Sequence, residues 1–495
     1  MSEVPHTRAA VIGAGFSGIG ASIVLTRAGV DHVVLERADD IGGTWRDNRY
    51  PGCRCDVPSH LYSYSFALNP NWSETYSPHD EIWAYLRRTV DEFGVAERIL
   101  FKHDVLEAAW DESTQRWRLT TSGGERTADV LVLGTGPLAE PSFPDIPGME
   151  IFEGAAFHSA KWPDDHDVTG ERVAVIGTGA SAIQIVPEIQ PKVERLTVFQ
   201  RTPPWVLPHS NRRITNFERF VYRNFPPAQR LARAFVYCSR EIFGGMLVKN
   251  GRALRIAEKL AYRWLARQVP DPELRAKVTP DYRPGCKRLL PSNDWYPAIQ
   301  QPNVDLVTEK IIEIGPRHIV TADGVETPVD TIVFATGFHV TDNPMLHRVR
   351  GRGGRSLAEH WSVGGMRAYY GTTVDGIPNM FFLAGPNTGI GHTSLVYMIE
   401  AQLAYLSGAI KEMRRRGAAS VEVRKPVLDS YSEEIQRKAA RTVWNTGGCA
   451  SWYLDAEDRN TTIWPDYTFR FKRRTKRFDS KSYVFKSRRP VVSPA

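Results

Sequence analysis

No stretch of this sequence sustains the about 18 to 20 consecutive apolar residues that a bilayer-spanning helix requires. Its start, MSEVPHTRAA, lacks the apolar centre of a secretory signal, and both absences lead us to expect a cytoplasmic chain. Cysteine is scarce: Cys53, Cys55, Cys238, Cys286 and Cys449 are odd in number and form no CxxC pair of zinc-site spacing. Neither a disulfide framework nor a metal site is expected, and the thiols read as reduced and mostly structural. A general basic face for nucleic acid is lacking too, although the net charge is +7. Residues 211–270 hold 13 Lys/Arg against 3 acids and residues 470–495 hold 10 against 1, leaving 40 basic and 52 acidic residues elsewhere. Positive charge confined to one insert and one tail suits a weak local contact with an acidic membrane surface or a phosphate ligand, the plainer alternative being a solvated helix face.

What is present is nucleotide-binding pattern, twice. RAAVIGAGFSGIGASIVLTRAGVDHVVLERADDIGG runs from an apolar strand through Gly13, Gly15 and Gly18 into a helical stretch. One glycine serves the tight turn, one lets the backbone approach a pyrophosphate, and one permits close helix packing. The next strand ends at Glu36, where a carboxylate can bind a ribose hydroxyl. The pattern returns in ERVAVIGTGASAIQIVPEIQPKVERLTVFQRTP, with Gly177, Gly179 and Ala182 as fingerprint and Arg201 at the strand end. A carboxylate there repels a 2′-phosphate whereas a guanidinium pairs with it, so the first site should take FAD and the second NADPH rather than NADH. The alternative for Arg201 is an ordinary surface arginine.

The length of 495 residues suggests two or three domains. The fold class expected is α/β, with two Rossmann-like dinucleotide-binding domains and a helical insertion. Residues 1–145 begin the FAD domain, 146–210 begin the NADP domain, 211–284 form the insertion with apolar residues at helical spacing, 285–375 return to the NADP domain, and 376–495 complete the FAD domain and a C-terminal segment. Two nucleotide folds without a metal or redox-cysteine signature imply hydride transfer from NADPH to a flavin.

Between the cradles lies FEGAAFHSAKWP, in which Phe152, Gly154, His158, Trp162 and Pro163 fill every position of FxGxxxHxxxW followed by Pro or Asp. In this motif the sequence resembles the type I Baeyer-Villiger monooxygenases of the flavin-containing monooxygenase superfamily. GGTW at 42–45, RYPGCRCD at 49–56, GCKR at 285–288, ATGF at 335–338, GPNTG at 385–389 and CASWY at 449–453 extend the likeness over nearly the whole chain. The C-terminal blocks are most similar to 4-hydroxyacetophenone-type members.

The resemblance implies an enzyme that uses NADPH and O2 to insert oxygen beside a ketone carbonyl through a flavin peroxide, giving an ester or lactone. It implies Arg288 as the fixed cation for the oxygen-derived anion and Asp56 as the carboxylate that orients it. FAD contacts implied are Ser17, Thr44, Trp45, Asp56, Tyr62 and Val105, beside Glu36 and the first three glycines. For NADP they are Thr178, Gly179, Ala180, Ser181, Ala182, Ile183, Gln184, Arg201, Thr202, Lys287, Arg288 and Trp452. His158 and Trp162 would lie in a linker that couples NADP position to the flavin. Two rivals stay open: an N- or S-oxygenating flavin monooxygenase, and a non-catalytic flavoprotein that binds a membrane or partner through its basic insert. The ketone and the oligomeric state are not legible.

Overall fold

A computed structural model describes residues 4–487, so Arg488 and Arg489 of the basic tail lie outside the described residues. The strand His6–Ile12 pairs in parallel with His32–Leu35 on one side and Gly124–Leu133 on the other. Residues 9–12 are buried on both faces, which is why they read as a continuous apolar run rather than an alternating one. Ala9 and Val11 face a core shared with the helices Phe16–Arg27 and Leu395–Arg416, while Ala10 and Ile12 join a second core behind the sheet. Ile99–Leu100 and Met380–Phe382 extend the parallel part, and Val105–Asp111 and Arg116–Thr121 continue it as an antiparallel meander.

The second sheet is wholly parallel, in the order Val304–Val307, Arg195–Phe199, Arg172–Ile176, Thr331–Phe334 and Ala155–His158. The FEGAAFH segment is therefore not simply a linker: its last four residues form an edge strand. Gly154 opens that strand because a Cβ there would sit 2.1 Å from the carbonyl oxygen of Asp330, a carbonyl that accepts the N–H of Ala155 at 3.1 Å. Residues 345–375, expected with the second nucleotide unit, pack on the first instead. Val349–Arg350 pairs with Val105–Asp111, and Leu346, Leu357, Trp361 and Ala368 enter the core behind that sheet.

Between the second-sheet strands Arg195–Phe199 and Val304–Val307 the chain makes the helices Asn216–Asn224, Pro226–Lys249, Arg252–Gln268 and Pro272–Val278. The first is started by a capping box in which Thr215 accepts from the Glu218 N–H at 3.2 Å and Glu218 accepts from the Thr215 N–H at 2.9 Å. The second is seated by its inner face on the segment that follows the first cradle: Arg233 donates to the His60 carbonyl at 2.7 Å and Gln229 to that of Asn69 at 2.5 Å.

Disulfide bonding departs from expectation. Cys286 and Cys449 are joined across 163 residues, leaving Cys53 and Cys55 buried and Cys238 exposed as free thiols. Sequence spacing gives no hint of the pairing because the fold creates it. Arg283 N–H donates to the Gly447 carbonyl at 2.9 Å, and a Cβ on Gly447 would lie 2.5 Å from that of Cys286.

Candidate active site between the two nucleotide cradles

Each cradle is shaped to leave its middle glycine open. A Cβ on Gly18 would lie 1.7 Å from the Gly13 carbonyl oxygen, so the helix can pack against the turn only with glycine there. Gly15, by contrast, would meet nothing nearer than Gly43 Cα at 3.7 Å, and Gly179 nothing within 4 Å. Those two backbones are free for the close approach a pyrophosphate needs. Ser17 is buried in the first turn after Gly15. In the second cradle Ala182 and Ile183 are buried and Ala180 is exposed, so Ala182 and Ile183 can offer NADP only main-chain groups.

Glu36 ends its strand as expected, and it is already engaged. Its Oε2 accepts the Ala14 N–H at 2.7 Å, and its Oε1 accepts the Ala38 N–H and Arg46 Nη1, each at 3.0 Å. A carboxylate offers about four lone pairs, so Oε2 keeps one for a ribose hydroxyl while the other bonds brace the glycine turn. Arg46, missed in the sequence, stands inside the helix Thr44–Asp47 as the cation paired with this buried carboxylate at 3.0 Å. Trp45 donates from Nε1 to Tyr62 Oη at 3.2 Å, and Tyr62 meets Phe16 edge-on at 5.2 Å. Burial pushes the Tyr62 phenol upward, so it is a neutral donor. Val105 fits less well: its side chain is in the core behind the first sheet and its carbonyl accepts from Arg348 at 3.0 Å.

Arg201 and Lys287 converge from different elements, the end of a strand and the GCKR turn. Burial, and after it the charge of Arg201, push the Lys287 ammonium down. Among the described residues neither makes an ion pair with a carboxylate. Asp281 is the carboxylate whose charge acts on Lys287 from a distance, and two neighbouring cations with no ion-pair partner in contact can together receive a dianionic phosphate. Thr178 donates to the Thr202 carbonyl at 3.2 Å and closes the turn beside them.

Next to Lys287, Arg288 makes a two-pronged bond with Asp56: Nε to Oδ2 at 2.5 Å and Nη2 to Oδ1 at 2.6 Å. The Asp56 charge raises Arg288 above the ordinary arginine range. Burial opposes charge on Asp56, yet the Arg288 charge and hydrogen bonds hold its carboxyl below the usual carboxylate range. Both partners are therefore ionised at neutral pH. Nη1 has only the Ile390 carbonyl, at 3.5 Å, which leaves N–H groups for a ligand.

The pair is placed by a clasp between the cradles. Gln184, in the helix of the second, accepts from Tyr50 Oη at 3.1 Å and Arg54 N–H at 3.3 Å, and donates to the Arg54 carbonyl at 3.1 Å. Its side chain, expected on NADP, is spent on the RYPGCRCD loop. Tyr453, within the CASWY block but unremarked as a site residue, feels both Arg288 and Asp56; burial pushes its phenol up to about 12. Trp452 beside it is 47% exposed, against 1% for Tyr453, as a side chain held for a ligand would be.

The fingerprint residues hold the junction rather than the chemistry. His158 is fully buried, edge-on to Phe143 at 5.6 Å and to Phe338 of ATGF at 5.3 Å. Its Nδ1 accepts the Ala160 N–H at 3.1 Å, and burial pushes its pKa down to about 4. Trp162 packs edge-on against Phe157 at 5.0 Å, and Pro163 is half-buried.

Two glycine cradles of opposite charge preference, with a fixed arginine between them, define a pyridine-nucleotide-dependent flavin enzyme. The flavin-binding monooxygenase-like family matches residues 6–349. A Baeyer-Villiger monooxygenase of Streptomyces coelicolor is 50% identical over 480 residues, covering 97% of this chain and 92% of that protein. One of Pseudomonas aeruginosa is 46% identical over 483 residues, covering 97% and 91%. A crystal structure of OTEMO in complex with FAD and NADP superposes with a TM-score of 0.88 at 27% identity, over 98% of this chain and 100% of that one. The chain belongs to the flavin-binding monooxygenase-like family, among its Baeyer-Villiger monooxygenases. The family is flavin-binding, and the OTEMO structure holds FAD and NADP.

Proposed function

We propose that Arg288 and Asp56 are the charged centre at which a ketone is converted to its ester or lactone. FAD, when bound, accepts a hydride from NADPH and supplies an oxygen atom from O2 to the substrate. The chain's own part is electrostatic. As the carbonyl carbon is attacked, its oxygen gains negative charge, and the free N–H groups of Arg288 Nη1 can meet that charge without reorganising. Asp56 fixes the guanidinium plane through the other two nitrogens, and a guanidinium cannot act as an acid here because it does not release its proton. Gly15, Glu36, Trp45 and Tyr62 would hold the flavin; Gly179, Arg201 and Lys287 would hold NADP through pyrophosphate and 2′-phosphate. Trp452 would cover the nicotinamide side and exclude water. The NADPH requirement favours action in the cytoplasm.

The two-pronged Arg288–Asp56 bond beside the Lys287–Arg201 socket carries this reading. Arg288→Ala should lower kcat for ester or lactone formation 100- to 1,000-fold, while FAD content is unchanged and NADPH oxidation ends in hydrogen peroxide. Product formation at the parent rate would refute the assignment, and turnover of sulfides or amines but no ketone would replace it with heteroatom oxygenation.

A further inference from the structure

The helix Pro226–Lys249 has two faces of opposite use. Its inner face is anchored through Gln229, Arg233 and the buried Glu241, and Arg240 reaches in far enough for its charge to act on Asp56. Its outer face carries Leu231, Phe235 and Ile242, which are 71%, 75% and 74% exposed. The spacing of four and seven residues aligns them in one stripe along the helix. The preceding helix continues it with Phe217 and Phe220, and Phe225 stands at the corner, these three at least 60% exposed. Single exposed apolar side chains are ordinary; six large ones within 26 residues are not.

The charges around the stripe have one sign. Arg223 and Arg230 are exposed and Arg219 is half-buried, and none of the three has a carboxylate partner among the described residues: Arg219 bonds to Asn216 and Arg223 to Asn71. The two carboxylates on these helices are withdrawn, Glu218 onto Arg212 at 2.7 Å and Glu241 into the interior near His392. A groove of about 650 Å³ opens along the same face, with Tyr237, Ile242, Met246 and Phe469 on its walls and Lys249 and Arg252 among its lining residues.

We propose that this face docks on an anionic lipid bilayer, with the aromatic and aliphatic stripe in the acyl boundary and the arginines on headgroups. An apolar row bordered by unpaired cations is what such an interface binds. A second copy of the chain fits less well, because two such faces related by a two-fold axis would oppose like charges. Docking is separate from oxygenation: a variant that leaves the bilayer keeps its turnover of a water-soluble ketone.

The exposed Cys238 lies on this face while Cys53 and Cys55 are buried, so a thiol-reactive, polarity-sensitive dye reports on it in the FAD-loaded enzyme. With vesicles of phosphatidylcholine containing about one-third phosphatidylglycerol at low salt, we expect co-sedimentation and a blue shift of the dye. Both should be absent with phosphatidylcholine alone and lost in 0.5 M NaCl. The triple change Leu231→Ser, Phe235→Ser, Ile242→Ser should weaken binding at least tenfold with turnover in solution unchanged, and Arg219→Gln with Arg223→Gln and Arg230→Gln should weaken it similarly. Enzyme that stays in the supernatant with anionic vesicles, or an apolar triple variant that binds like the parent, overturns the proposal. So does a dimer in analytical ultracentrifugation that the apolar triple variant dissolves, which would make the face a self-interface.

Discussion

The proposed preference for NADPH rests on the juxtaposition of Arg201 and Lys287, neither of which is ion-paired with a carboxylate among the described residues. A charge-assisted hydrogen bond contributes about 1.5 to 3 kcal/mol. Arg201→Ala should therefore raise KM for NADPH ten- to 100-fold and leave KM for NADH nearly unchanged, measured as initial rates with either nucleotide. His158 makes a different statement. Its folded-state pKa of about 4 lies below the unfolded value of about 6.5, so between those pH values the unfolded chain binds a proton that the folded one refuses. Stability linked to His158 is full above pH 6.5 and is lost as pH falls toward 4. Replacing it with Gln should flatten the slope of urea midpoint against pH in that window, while a catalytic histidine would instead move the pH profile of kcat. The Asp56–Arg288 pair, with Asp56 depressed, adds stability at any pH above the ordinary carboxylate range and loses it only under stronger acid.

At the level of elements, the Gln184 clasp is the contact that fixes how the helix of one cradle meets the loop of the other. Gln184→Ala would leave Tyr50 and the Arg54 main chain short of partners, at a cost of about 1 to 3 kcal/mol. We expect a lower denaturation midpoint together with weaker NADP binding by calorimetry, whereas a cofactor contact alone would affect only the second. The two cradles were legible because glycine spacing and strand-end charge are local: Gly18 and Glu36 are where the pattern puts them. What stayed hidden depends on long-range closure. Val349 and Arg350 carry no strand pattern of their own until they reach Val105–Asp111, and nothing near Gln184 says that its amide bonds across 130 residues. Tyr453 was inside a recognised block and Arg46 directly after another, yet their roles come from what folds against them.

For the whole molecule, the Cys286–Cys449 bond ties the turn that bears Arg288 to the loop that bears Trp452. In the chain-entropy picture, a cross-link over 163 residues stabilises by about 5 kcal/mol. A phosphine reductant, or Cys449→Ser, should lower the denaturation midpoint and loosen NADP retention, and the two treatments combined should do no more than either alone. Unchanged midpoints would mean that close backbone packing at Gly447 holds the loop unaided. The flavin unit, finally, is written at both ends of the chain. The turn at Gly13 leads into the helix Phe16–Arg27, yet the helix Leu395–Arg416 packed against it is made much later in the chain. Cofactor capture thus cannot begin on the nascent chain until that helix has emerged, so truncated translation products should be colourless however well their first strands form.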